Sequence, residues 1–267
     1  MSIWICKECG AHFDTEINPP ASCLICEDDR QFVPLSGQKW LARNEVLTYA
    51  NDWHELEPGL IGISVTPAIG IGQQALLVLT PQGNVLWDCV TILDRETRDR
   101  IQALGGLKAI TASHPHFYTG MAEWSEAFGD IPIFVSALDQ NFITRTSKNI
   151  RLVEEDKYEV LPGVNIHRLG GHFHGSSILE WQAGADNRGA ILTGDTIHVT
   201  AGNRHASFMH SFPNILPLPA REVTQIADRV KRLSFDRLYG GWRDKVILTD
   251  AKAIVLNSAK RYVEALS

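Results

Sequence analysis

The sequence predicts a mixed α/β (α+β) fold, with two sheets packed face to face and covered by helices and a small four-cysteine metal ribbon at the N-terminus. Two observations carry this. Four of the five cysteines fall in two CxxC pairs within the first 26 residues. From residue 60 onward, short β-rich runs alternate with helical segments, in two successive series that each end in helix. Periodicity alone does not separate this layout from other α/β arrangements, and the histidine motifs below are what do so.

The ribbon comes first. Cys6-Lys7-Glu8-Cys9-Gly10 and Cys23-Leu24-Ile25-Cys26 are each a turn that points two sulfurs at one spot. Gly10 suits the tight backbone after a knuckle, where a positive φ is needed. Thirteen residues separate the pairs, enough for a short hairpin, and Pro19-Pro20 stiffens that loop. Residues 1–36 resemble a zinc ribbon and also the rubredoxin-like module at the end of rubrerythrins. Zinc at Cys6, Cys9, Cys23 and Cys26 makes the module structural, because metal binding then supplies its folding energy. Iron makes it a one-electron carrier. Rubredoxin-like knuckles usually carry Pro after the third cysteine, and Leu24 stands there, which favours zinc. Cys89, in the apolar run Val85–Val90, is read as a small core hydrophobe.

Residues 37–58 read as a connector into the main domain, taken as 37–267. Leu60–Val65, Ala75–Thr80 and Asn84–Val90 are strands, with a hairpin turn at Pro81-Gln82-Gly83-Asn84. Asp94 caps a helix that stops at Gly105-Gly106. Leu107–Ser113 is a strand, Ala122–Phe128 a helix, and further strands follow at Ile131–Ser136, Ile150–Glu154, Val164–Leu169, Ser177–Gln182 and Gly189–Thr193. Val223, Ile226, Ala227 and Val230 recur at helical spacing within Ala220–Leu233. Phe235–Tyr239 is a short strand, and Asp250 caps a last helix reaching Leu266.

Composition narrows the function classes. A length of 267 residues with 44% hydrophobic content fits a soluble globular chain with a large core. A net charge of −6 without a long basic run points away from nucleic acid and anionic membrane as partners. Met1–Cys6 lacks the basic and apolar regions of a secretory signal, and apolar runs such as Ala75–Leu79 are too short to span a bilayer, so the expected location is cytoplasmic. Trp4, Phe13 and Phe32 offer apolar surface for docking the ribbon on the main domain or on a second subunit, which leaves a homodimer open.

The chemistry lies in three short motifs. In His114-Pro115-His116 a period of two puts both imidazoles on one side of an extended segment, and Pro115 biases His114 toward that geometry. In Gly170-Gly171-His172-Phe173-His174-Gly175-Ser176 the glycines let a tight loop present His172. Leu192-Thr193-Gly194-Asp195 is an apolar strand delivering a carboxylate to the sheet mouth. His174 and His198 stand near these motifs, and His205 and His210, with Phe208 and Met209, lie in the irregular segment Ala201–Pro213. His205 and His210 are read as ordinary loop residues, His174 as a supporting or exposed residue and His198 as a weaker candidate for the site, and His12, His54 and His167 receive no role.

In this order the motifs resemble the metallo-β-lactamase superfamily over roughly residues 50–267. The resemblance implies a four-layer αββα sandwich with a site between the sheets. It implies His114, His116 and His172 as a three-histidine metal site, and Asp195 as the carboxylate that bridges two metals in binuclear members. The fuller family motif is HxHxDH, whereas Tyr118 and Thr119 occupy its last two positions, and Trp242 stands where a late histidine belongs. Trp has no lone pair for a metal. One metal ion is therefore expected, zinc with iron as the alternative, with Asp195 as fourth ligand or as base for bound water and Tyr118 as a hydrogen-bond donor to a developing oxyanion. The leading functional expectation is a hydrolase of a small-molecule ester, thioester, lactone, amide or phosphoester. A degenerate member that binds metal or ligand without efficient hydrolysis, and an iron redox protein with a faint likeness to flavodiiron proteins, stay open beside it.

Overall fold

A computed structural model describes residues 2–266. The first sheet has seven strands in the order Ile150–Val153, Ile133–Ser136, Ala109–Thr111, Val85–Trp87, Ala75–Val78, Leu60–Thr66 and Ala50–Glu57. The second has six: Lys157–Leu161, Val164–Arg168, Ser177–Trp181, Ala190–Leu192, Arg237–Tyr239 and Val246–Ile247.

Strand alternation sorts the apolar side chains into three layers. Leu76, Val78, Val85 and Trp87 face Leu179, Trp181, Ala190 and Leu192 between the sheets. Ala75, Leu77 and Leu86 point the other way, toward Ile101 of helix Arg95–Ala103 and Met121 and Trp124 of helix Met121–Ala127. Ile178, Ile191 and Leu238 pack under Val223, Ile226 and Val230 of helix Ala220–Val230 and Val255 and Ala259 of helix Ala251–Ala265. Strands covered on both faces are apolar throughout, which is why their text reads as short continuous hydrophobic runs. The result is the four-layer αββα sandwich.

The strands and helices expected from sequence form, most within two residues of their expected ends, and three expectations need correction. Residues 37–58 are not a connector. They hold strand Trp40–Ala42, a 3-10 turn at Arg43–Thr48 and the eight-residue edge strand Ala50–Glu57. Its Asn, Asp and Glu residues disfavour strand locally, but pairing along Leu60–Thr66 overrides that preference. Lys157–Leu161, unassigned from sequence, forms a hairpin with Val164–Arg168. Asp250 precedes the last helix but does not cap it: its φ is 56° and its side chain makes no capping bond. Asp236 does that work, accepting from Asp250 N (2.9 Å) through its carboxylate and from Ala251 N (3.0 Å) through its carbonyl.

The cysteine ribbon is a three-stranded sheet in which Ser2–Cys6 lies between His12–Thr15 and Trp40–Ala42. It sits flush on the sandwich. Gly10 has a φ of +81°, and a Cβ there would fall 2.1 Å from Thr91 Oγ1. Ile5 packs with Val46, Ile69 and Ile92 across the seam, while Phe13 packs on Trp40 within the ribbon and Phe32 is half exposed. His12 is fully buried, and its Nε2–H donates to the Thr91 carbonyl at 2.9 Å. Arg145–Asp14 and Arg43–Glu123 ion pairs flank the seam.

Burial pulls the His12 pKa down to about 4 from 6.5. The folded chain therefore resists a proton that the unfolded chain accepts. The stabilisation is complete above pH 6.5 and is lost as pH falls toward 4. Urea midpoints of the parent should fall more between pH 7 and pH 4.5 than those of His12→Gln, by on the order of 3 kcal/mol in unfolding free energy. Parallel losses in the two proteins would show that His12 carries none of the acid sensitivity.

Candidate metal centres

Two groups of side chains bring potential metal ligands together. In each, one ligand atom per residue lies within 4.8 Å of all the others. The first is Cys6, Cys9, Cys23 and Cys26. The Cys6–Cys26 and Cys9–Cys23 sulfurs are 3.5 and 3.6 Å apart, and all four residues are buried. A tetrahedron with metal–sulfur bonds of about 2.3 Å has edges of about 3.8 Å, so the thiols fit a single ion closely. The bond Gly10 N to Cys6 O (2.9 Å) closes the first knuckle, and Glu27 N to Cys23 O (3.0 Å) closes the second.

The second group is His114, His116, His172 and Asp195, each at most 3% exposed. All four stand where strands run out. His114 follows Ala109–Thr111 with φ −170° and ψ 173°, the extended geometry Pro115 favours, and Pro115–Phe117 then turn as a 3-10 helix that lifts His116 beside it. His172 sits in the loop after Val164–Arg168. Gly171 there has a φ of +90°, and a Cβ would meet Ile226 Cδ1 at 2.8 Å, so glycine lets the loop lie against helix Ala220–Val230. Asp195 follows Ala190–Leu192. The three imidazole rings meet edge to face, with centroids 4.9 to 5.0 Å apart.

Partners outside the group aim the lone pairs inward. With Nδ1–H of His114 donating to Ser113 Oγ (2.8 Å) and Nδ1–H of His172 donating to the Met209 carbonyl (3.0 Å), both Nε2 atoms face the centre unprotonated. His172 Nε2 and His116 Nδ1 are 3.3 Å apart. Metal–nitrogen bonds of about 2.0 to 2.1 Å give a tetrahedral edge of about 3.3 Å. His114 Nε2 and Asp195 Oδ2 are 3.5 Å apart, an electrostatic contact too long for a good hydrogen bond. His114 Nε2, His116 Nε2 and Asp195 Oδ1 are buried without a hydrogen-bond partner. Of these, His114 Nε2 stands at ligand spacing, and with His172 Nε2, His116 Nδ1 and Asp195 Oδ2 it forms a buried donor set that a cation would satisfy, so the residues fit a metal.

The electrostatics agree. Burial, then the neighbouring histidine charges, holds His116 well below the usual histidine range, and burial with the His114 charge brings His172 down to about 3. Burial pushes the Asp195 carboxyl up, but its contacts to His114 and His198 and the charges on His114 and His172 win and hold it well below the carboxylate range. The group is thus two neutral imidazoles and a carboxylate beside His114.

Tyr118 lies elsewhere, in the apolar layer on the outer face of the first sheet with Met121 and Trp124. Thr119 is buried below Gly10 of the ribbon. Trp242 donates to Ile71 O at 3.1 Å and places its ring by Phe117 and His198. His198 Nδ1 is 3.6 Å from Asp195 Oδ1. His174 and His205 are exposed, and His210 pairs with Asp29 at 3.0 Å.

Sequence reasoning passed over several residues that the structure places around the histidines. Asp88, fully buried with a φ of 62°, accepts from Ser113 N at 2.6 Å and so anchors the residue that orients His114. Burial raises its carboxyl to about 8, against the pull of that N–H. Arg30 donates to the His172 carbonyl at 2.6 Å and lies 4.3 Å over the Phe173 ring, and Gln31 Nε2 is 3.4 Å from His116 Nδ1. Asp88 carried a faint signal, an Asp at the end of an apolar strand. Arg30 and Gln31 carried none, since only the docking of the ribbon brings them here.

No family model matches the chain. It is 42% identical to "Uncharacterized protein YmaE" of Bacillus subtilis (strain 168) over 270 residues, spanning 100% of this chain and 98% of that protein. Among solved structures, the fold is similar to TMB-1 (TM-score 0.61, 14% identity, 81% of this chain and 98% of that one). It is also similar to VMB-1 (0.58, 12%, 81% and 98%) and to the metallo-β-lactamase SMB-1 in complex with mercaptoacetic acid (0.55, 16%, 80% and 95%).

Ser113→Ala removes the hydroxyl that fixes the His114 tautomer. Metal affinity of the histidine group should fall about 10- to 100-fold, measured by competition with a chromogenic chelator. Unchanged affinity would take Ser113 out of the support of this site.

Proposed function

The chain belongs to one family with YmaE of Bacillus subtilis and has the metallo-β-lactamase fold, and from that premise we propose that it is a metal-dependent hydrolase with a one-ion histidine centre. The observation that carries this is the convergence of His114, His116, His172 and Asp195 at ligand spacing, all buried, with His114 Nε2 satisfied by no protein group. Mixed nitrogen and oxygen donors suit zinc. A zinc ion in such a set lowers the pKa of a coordinated water to about 7 and polarises a carbonyl or phosphoryl oxygen.

The protein's own groups do the rest. His114, His116 and His172 would hold the ion, with Ser113 and the Met209 carbonyl fixing the tautomers of His114 and His172. Asp195, kept ionised, accepts a hydrogen bond from the attacking water and fixes its direction. His198, with a side chain 21% exposed, links Asp195 Oδ1 to solvent and gives the released proton a way out. Substrates are small molecules with a hydrolysable ester, thioester, lactone, amide or phosphoester bond. The four cysteines hold a second zinc ion that stabilises the ribbon. A di-iron redox centre needs several carboxylates, and this group supplies one.

Metal analysis of the purified chain should find about two zinc ions, falling to about one in His116→Ala with the cysteine-bound ion kept. On any substrate found by screening chromogenic esters, thioesters, lactones and phosphoesters, Asp195→Asn should lower kcat about 100- to 10,000-fold. Full activity in His116→Ala would overturn this mechanism.

A further inference from the structure

The histidine centre has a wall that the sandwich does not supply. After Cys26 the ribbon crosses the site as a strap, Asp28 to Gln31. Arg30 is bonded to Asp28 (2.8 and 2.9 Å) and to the His172 carbonyl (2.6 Å), and it lies over Phe173. From the other side, Ser211 Oγ donates to the Arg30 carbonyl at 3.1 Å, and Asn214 Nδ2 donates to the carbonyls of Asp29 (2.9 Å) and Gln31 (3.3 Å). A strap held this way has one place to put the Gln31 side chain. Gln31 is 8% exposed, and its amide meets His116 Nδ1 at 3.4 Å.

That distance matches the spacing within the donor set, 3.3 Å between His116 and His172 and 3.5 Å between His114 and Asp195. The Gln31 amide therefore stands from its histidine neighbour as one ligand of a common ion stands from another. Which end of an amide faces a partner follows from the hydrogen bonds on offer. Beside a bare imidazole nitrogen the NH2 end is favoured. Beside a cation the carbonyl oxygen is the end that turns in, because it is a hard donor.

We propose that Gln31 is a ligand of the histidine centre contributed by the cysteine ribbon, its Oε1 joining His114, His116 and His172 around a divalent cation with Asp195 beside it. The assignment rests on the metal reading of that centre. The ribbon is thereby part of the site, beyond its contribution to stability.

Cobalt substitution of the full chain tests this. The cysteine centre reports through sulfur-to-cobalt charge transfer in the near ultraviolet and through its own visible d–d bands, so the histidine centre is read from the visible difference between the parent and His116→Ala. Gln31→Ala should leave the ultraviolet bands unchanged, alter the visible envelope and lower cobalt affinity of the histidine centre about tenfold or more. Gln31→Met, which keeps the volume, should behave like Gln31→Ala, and Gln31→Glu should restore the affinity. A visible envelope and affinity identical to the parent in both Gln31→Ala and Gln31→Met would overturn the assignment alone. A parent spectrum with no band that His116→Ala removes would overturn the metal reading and the assignment together.

Discussion

Desolvation at the mouth of two sheets governs this molecule. Three imidazoles and a carboxylate are cut off from water within a few ångströms of one another, in an environment that penalises every uncompensated charge. His116 and His172 respond by staying neutral, and Asp195 by staying ionised. What results is a cluster of lone pairs with negative charge, with the Gln31 amide at one edge. Much of the surrounding architecture preserves that state. Asp88 fixes Ser113, Ser113 and the Met209 carbonyl take the outward N–H groups, and Gly171 lets the His172 loop lie against helix Ala220–Val230. Each step spends a special backbone or a buried polar group on orientation, the trade expected where geometry matters more than local stability.

The positions that would carry a second ion are taken up in ways that close it off. Tyr118 belongs to the apolar layer beneath the first sheet, Thr119 lies under the Gly10 knuckle, and Trp242 contributes a ring to the cluster of Phe117, His198 and Phe212. Apolar and aromatic side chains here make the surroundings drier than a second set of polar ligands would. A drier setting strengthens each remaining electrostatic contact at the histidines.

How far the sequence discloses this depends on the range over which each signal acts. The sandwich was legible because strands buried on both faces must be apolar, and helix Ala220–Val230 shows its inward face at helical spacing. The histidine centre was legible because the HxH period and the flanking glycines are local. The edge strand Ala50–Glu57 was not, since one rim of it faces solvent and its Asn, Asp and Glu residues obey water rather than the sheet. The cap of the last helix was misread for a related reason: Asp250 has the right chemistry beside the helix, while Asp236, fourteen residues earlier, has the right position. Arg30 and Gln31 lie furthest out of reach. Their place follows from a docking across 85 or more residues of chain, and no local pattern marks them.

The ribbon ties the two centres into one mechanical system. Its own core is little more than the four cysteines with Ala11 and Ile25, backed by Phe13, Trp40 and Phe142. A segment with so little apolar mass would draw its order from an ion held at its sulfurs. That order fixes the turn after Cys26, the turn fixes Asp28 and Arg30, and Arg30 grips the carbonyl of His172 itself. The chain of contacts is short, polar and largely enclosed, so a change at the sulfurs reaches a histidine ligand through a handful of bonds. Ile5 and His12 pin the far side of the ribbon to the sandwich, as Ser211 and Asn214 pin the strap. A small metal module set on such a fold thereby becomes a wall of the site as well as a stabilising appendage.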